Sequence, residues 1–103
     1  MSDELEAGHR LEARVHGRVQ GVGFRYFVLE QAQRLQLRGW VANDDGGGVT
    51  VLAEGPRGSL EVLLDALREG PPAARVDRVD PVWSPATGEF ERFGVRSRWH
   101  SGD

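Results

Sequence analysis

The residues best suited to chemistry lie in a glycine-spaced stretch, Gly17-Arg18-Val19-Gln20-Gly21-Val22-Gly23, that runs directly into Phe24-Arg25. Glycines at this density let the backbone curl so that successive N–H groups point inward, and a concave row of such donors binds anions. Where such a loop feeds a helix, the unpaired N–H groups of the first turn and the helix dipole add to the same attraction. Arg25 falls in that first turn, and a guanidinium there can grip two phosphoryl oxygens at once. Taken alone, a tight turn followed by a surface arginine also accounts for these residues. A second candidate is Asn43, between the apolar run Trp40-Val41-Ala42 and the turn Asp44–Gly48. Its amide can hold a water while hydrogen-bonding a substrate oxygen. An asparagine at a strand end can equally do no more than shape the turn.

Composition closes off other chemistries. The chain has 103 residues and no cysteine, which removes thiolate nucleophiles, disulfides and Cys-ligated zinc or iron–sulfur sites. All thirteen basic residues are arginine, so there is no lysine for Schiff-base chemistry or a Walker-type phosphate grip. The net charge of -3 argues against a nucleic-acid partner, which selects a basic surface. No apolar run approaches the ~18–20 residues of a membrane-spanning helix. Met1–Arg10 is acidic and polar, unlike a signal peptide. These features point to a cytoplasmic protein without a membrane partner. His16 alternates onto the polar side of its strand with Glu12 and Arg14 and reads as a solvated or structural histidine. Trp40, Trp83 and Trp99 read as packing residues.

The elements that must position the candidates follow from periodicity. Leu11, Ala13 and Val15 alternate with polar residues, predicting a half-buried strand that ends at Gly17. Phe24, Phe27, Val28, Ala32 and Leu35 mark one face of a helix, with Gly39 as its stop. Trp40–Ala42 and Val49–Ala53 flank the glycine-rich turn as a hairpin. Ser59 is the expected N-cap of a second helix, whose apolar face is Leu60, Leu63, Leu64 and Leu67 and whose end is Gly70. Val76, Val79 and Val82 suggest an edge or bulged strand with Pro81 inside it, and Phe93 and Val95 a short last one. The order is β-α-β-β-α-β with a possible extra strand. Two one-sided helices can both cover one face of an antiparallel sheet, which is an α+β, ferredoxin-like α/β sandwich. If the strand Leu11–His16 neighbours Gly39–Asn43, the loop and Asn43 converge on one spot. Periodicity leaves that pairing open.

The stretch Gly17–Arg25 resembles the acylphosphatase signature G-x-V-Q-G-V-x-F-R. Gly39-Trp40-Val41-Ala42-Asn43 is similar to the second signature of that family, G-W-V-x-N, and Gly47-x-Val49 follows at the right distance. Gly70-Pro71-Pro72-Ala73-Ala74-Arg75-Val76 and Phe93-Gly94-Val95 match its usual tail. The resemblance covers about Leu11 to Arg96. It implies hydrolysis of acyl phosphates to a carboxylate and inorganic phosphate, with no metal and no organic cofactor, by a small monomer. Carried over by position, Arg25 is the phosphate-binding catalytic arginine and Asn43 orients the attacking water. The backbone N–H groups of Val19, Gln20, Gly21, Val22, Gly23 and Phe24 form the phosphate cradle. Inorganic phosphate is then product or inhibitor.

On this reading residues 1–9 are a flexible tail, 10–97 the acylphosphatase-like domain and 98–103 a C-terminal extension. One departure stands beside the site. Many members read N-x-x-D-G at the hairpin turn, whereas this chain reads Asn43-Asp44-Asp45-Gly46-Gly47; the extra acid next to Asn43 bears on loop mobility and on repulsion of an anionic substrate. Two rivals are an anion-binding module with little turnover and a ferredoxin-like RNA binder. Acylphosphatase-like domains also occur inside larger proteins that handle carbamoyl phosphate, and the length of this chain favours a free-standing enzyme. The RNA binder needs a basic face and an aromatic strand motif that this sequence does not have.

Overall fold

The computed structural model describes residues 8–99. In chain order it consists of β1 (His9–Arg18), α1 (Phe24–Arg34), β2 (Arg38–Asp44), β3 (Val49–Gly55), α2 (Arg57–Glu69), β4 (Arg75–Pro85) and β5 (Phe93–Trp99). The strands make one sheet in the order β4-β1-β3-β2-β5. β1 pairs antiparallel with β3 and β4, and β2 antiparallel with β3. β5 is the additional strand, and it joins β2 in parallel. The sheet is therefore antiparallel except at one edge. Residues 1–7 of the expected 1–9 tail and 100–103 of the expected 98–103 extension lie outside the described residues, whereas His9 already belongs to β1 and residues 98–99 to β5.

One face of the sheet carries the core. Leu11, Ala13 and Val15 of β1, Val41 of β2 and Val49, Val51 and Ala53 of β3 pack with Phe24, Val28 and Ala32 of α1 and Leu60, Leu63, Leu64 and Leu67 of α2. Each helix buries one stripe and leaves its polar side to water, so both must share the same apolar face of the sheet. The opposite face holds a second cluster of Trp40, Ala42 and Leu52, with Phe90 packed on it. Phe90 belongs to the segment that carries the chain from β4 at one edge to β5 at the other.

This double covering explains why β3 is buried from Val49 through Glu54 despite its polar residues. A polar group there must find partners. The Glu54 carboxylate, 5% exposed, accepts from Arg10 Nε at 2.7 Å, from the N–H and hydroxyl of Thr87 and from the Gly88 N–H. Burial alone pushes this carboxyl up. The Thr87, Arg10 and Gly88 bonds outweigh burial, and its pKa is lowered from 4.5. One buried side chain thus clamps the crossing segment to the sheet.

Several boundaries differ from the periodicity reading. β1 does not stop at Gly17; it continues to Arg18 after a register shift between His16 and Gly17. Gly17 has φ 135 there, and a Cβ would run into the Arg75 carbonyl, so only glycine admits this approach to β4. α1 ends before Gly39. Gln36 takes the left-handed conformation, φ 60, and the Leu37 N–H bonds back to the Ala32 carbonyl. Gly39 instead sits inside β2, where a Cβ would collide with the Leu52 carbonyl. The cap of α2 is Pro56, not Ser59: the helix begins at Arg57, and no side chain caps it. Pro56 sits at φ -63, which suits the entry to a helix without any hydroxyl.

Candidate active site

β1 and β2 are not neighbours. β3 lies between them, which corrects the direct pairing considered from the sequence. The two candidate regions meet nonetheless, because Val49 at the start of β3 pairs with Val15 on one side and Asn43 on the other. Both strands run antiparallel to β3, so the ends carrying the glycine loop and Asn43 emerge at the same end of the sheet.

The loop between β1 and α1 folds over this end. Gly21 and Gly23 take φ 75 and 78, a region an L-residue enters only at a cost of ~1–2 kcal/mol. At both positions a Cβ would meet nothing within 4 Å. These glycines are therefore needed for backbone direction, whereas Gly17 and Gly39 are needed for space. Gly23 is the N-cap of α1; no side chain caps that end, and its first turn holds no acid. No side chain of the helix thus offsets the dipole or the first-turn N–H groups at this end.

A cavity of about 120 Å³ opens at this point, lined by Val19, Gly21, Gly23, Phe24, Arg25, Tyr26 and Asn43. It brings Arg25 and Asn43 together with four of the six expected cradle residues. The side chains of the other two point to different duties. Gln20 Nε2 donates to the Asp44 and Gly48 carbonyls at 2.9 and 2.8 Å, and Val22 packs against the core.

Arg25 is half-buried and pairs with no carboxylate among the described residues. Its Nη1 donates to the carbonyls of Arg96 and Ser97 in β5, at 3.1 and 3.3 Å. Two neutral acceptors hold the guanidinium in place without cancelling its charge, which suits a group meant for an anion. The β2–β5 register shifts between Ala42 and Asp44, opposite this stretch of β5.

The extra acid beside Asn43 is occupied within the turn. Asp44 Oδ1 accepts from the Gly46 and Gly48 N–H groups at 3.1 and 3.0 Å, and Oδ2 from the Thr50 hydroxyl at 3.1 Å. It staples the hairpin that carries Asn43, and it does not line the cavity. His16 is bound to Asp80, 3.0 Å from Nε2 to Oδ2, and does not line the cavity either.

A family model described as acylphosphatase matches residues 11–95. The chain belongs to the acylphosphatase family. An acylphosphatase of Salinibacter ruber is 53% identical over 87 residues, covering 84% of this chain and 92% of that one. The crystal structure of acylphosphatase from Bacillus subtilis superposes with a TM-score of 0.82 at 40% identity, covering 85% of this chain and 98% of that one. Full-length HypF in its phosphate- and nucleotide-bound form matches with a TM-score of 0.83 at 28% identity; 94% of this chain corresponds to 13% of that much longer one. The ferredoxin-like α+β fold and the family activity, hydrolysis of acyl phosphates, follow for this chain.

Three features of this acylphosphatase site had no sequence-based expectation. The carbonyls of Arg96 and Ser97 reach Arg25 through a parallel pairing that no local pattern announces. The Gln20 side chain joins two segments far apart in sequence. Tyr26 lines the cavity, and here a signal existed: its place next to Arg25 in the first helical turn puts it about 100° further round the helix axis, on the same end of α1.

Proposed function

We propose that Arg25 and Asn43 are the catalytic residues, and that the backbone N–H groups from Val19 to Phe24 form the phosphate cradle. The observation that carries this reading is the shared cavity, where an arginine with no carboxylate partner among the described residues, an asparagine amide and a helix N-terminus without a side-chain cap adjoin. The carboxylate of an acyl phosphate is already a good leaving group, so the protein has little general-acid work to do. Its task is to position the phosphoryl group and stabilise charge on its oxygens. Arg25 and the loop N–H groups bind those oxygens. Asn43 holds a water in line with the scissile bond. The water oxygen forms the new P–O bond, the bond to the acyl oxygen breaks, and the carboxylate departs. The water proton passes to a phosphoryl oxygen, so no side-chain base is required.

On this reading the reaction needs neither metal nor organic cofactor, because the charge a cation would supply comes from Arg25 and the loop. Inorganic phosphate competes as product. The absence of cysteine fits a reducing cytoplasm. Pro81 and the charges along the edge strand β4 disfavour strand pairing between copies and support a monomer. The domain is read as residues 10–97. The test is hydrolysis of benzoyl phosphate in EDTA by the wild-type chain, Arg25→Gln and Asn43→Ala. Turnover in the wild type that is lost in both variants supports the assignment. A wild type that binds phosphate without turnover overturns it in favour of a binding module.

A further inference from the structure

The cavity is small for a whole substrate. About 120 Å³ compares with the ~300–1,000 Å³ of pockets that enclose a complete ligand. It suits the phosphoryl end alone, and the acyl end must then extend past the rim. The first turn of α1 decides what it meets there. Successive helical residues step ~100° round the axis. Phe24 therefore points into the core at 1% exposure, Arg25 turns toward the cavity, and Tyr26 lies at its outer edge, 65% exposed. Among residues 8–97, Tyr26 is the one aromatic of the exposed large hydrophobic side chains; Val62 and Val82, the others, do not line the cavity. An aromatic ring so open to water forgoes the burial that normally favours it, and this one stands where the acyl group must leave.

We propose that Tyr26 is a specificity-determining residue: its ring contacts the acyl portion of the substrate and favours flat, apolar acyl groups over small ones. The proposal rests on the cradle assignment above, since the phosphoryl end must be held by Arg25 for the acyl end to reach the rim. A benzoyl group can lie against the phenol ring, whereas an acetyl group is too short to cover it. A contact of this kind is worth about threefold to tenfold in relative kcat/KM.

The experiment compares kcat/KM for benzoyl phosphate and acetyl phosphate in the wild type, Tyr26→Ala and Tyr26→Phe, with the inhibition constant of inorganic phosphate measured in each. The expected result is a benzoyl-to-acetyl ratio about threefold to tenfold lower in Tyr26→Ala and retained in Tyr26→Phe. A ratio unmoved by Tyr26→Ala overturns the proposal while the cradle assignment stands. Equal losses on both substrates, with a matching rise in the phosphate inhibition constant, place the effect in the first turn of the helix and also overturn it. A wild type inactive on both substrates overturns the catalytic assignment and this proposal together.

Discussion

The side-chain amide of Gln20 donates to the backbone carbonyl of Asp44 at 2.9 Å, and to that of Gly48 at 2.8 Å. Gln20 belongs to the loop that precedes α1, and Asp44 directly follows Asn43. The same nitrogen therefore ties the proposed phosphate cradle to the hairpin that carries the proposed water-orienting amide. Asp44 contributes from its other end, using its carboxylate to staple the turn. The spacing between cradle and Asn43 is held by hydrogen bonds on both sides.

Breaking that tie should cost activity more than stability. Gln20→Ala removes two bonds worth ~1 kcal/mol each and should lower kcat/KM for benzoyl phosphate by about tenfold or more. Gln20→Glu should be worse, because a carboxylate would face two carbonyl oxygens. Steady-state kinetics on both variants, beside urea midpoints, separates the effects. Activity equal to wild type in Gln20→Glu would remove any role for the bridge.

Arg25→Gln and Asn43→Ala should each lose ~10²–10³ in kcat, the usual cost of one preorganised donor in an active site. Both side chains are only half-buried, so the variants should fold; circular dichroism checks that point. Wild-type kcat in either one would end its assigned role.

His16 offers the contrasting case. A general base contributes ~10²–10⁴ in rate, yet His16 is engaged with Asp80, and Arg78 approaches at 3.4 Å. His16→Ala should therefore show a loss far smaller than that range in kcat on benzoyl phosphate. A loss of that size would place a base where none is proposed.

The glycines of the site should divide into two classes. Gly39→Ala places a Cβ against the Leu52 carbonyl at φ 138, combining backbone strain with overpacking, and should cost about 2–5 kcal/mol of stability. Gly23→Ala has open space and only the left-handed penalty, about 1–2 kcal/mol. Denaturant titration of the two variants should rank them in that order, and the reverse order would contradict the fold.

Stability should fall in acid through Glu54. Its carboxyl is held below 4.5, as the bonds from Thr87, Arg10 and Gly88 overcome the opposing effect of burial. A group with a lowered folded pKa stabilises fully above its unfolded value and loses that contribution as pH falls through the folded one. Unfolding midpoints should therefore be steady above pH 4.5 on this account and drop below it. Glu54→Gln should flatten the drop and lower stability at neutral pH. An unchanged acid profile in Glu54→Gln would assign the acid sensitivity to other groups.

The sequence by itself determined the two helices and their apolar stripes, because Phe24, Val28, Leu60, Leu63 and Leu67 recur at a spacing that contiguous residues set. It likewise determined the loop and turn chemistry, since glycine alone enters the φ of Gly21 and Gly23 cheaply. Arg25 and Asn43 were legible through motif spacing, and the structure brings them to one cavity. The β2–β3 hairpin was legible from its turn, but the tertiary structure alone decided where the other strands lie. β3 inserts between β1 and β2, β5 attaches in parallel, and the carbonyls of Arg96 and Ser97 thereby reach Arg25. The burial of Thr50 and Glu54 belongs to the same class, since it depends on a segment that crosses the sheet after β4. Periodicity reports which face of an element is apolar; which partner covers that face is settled by contacts between residues remote in sequence.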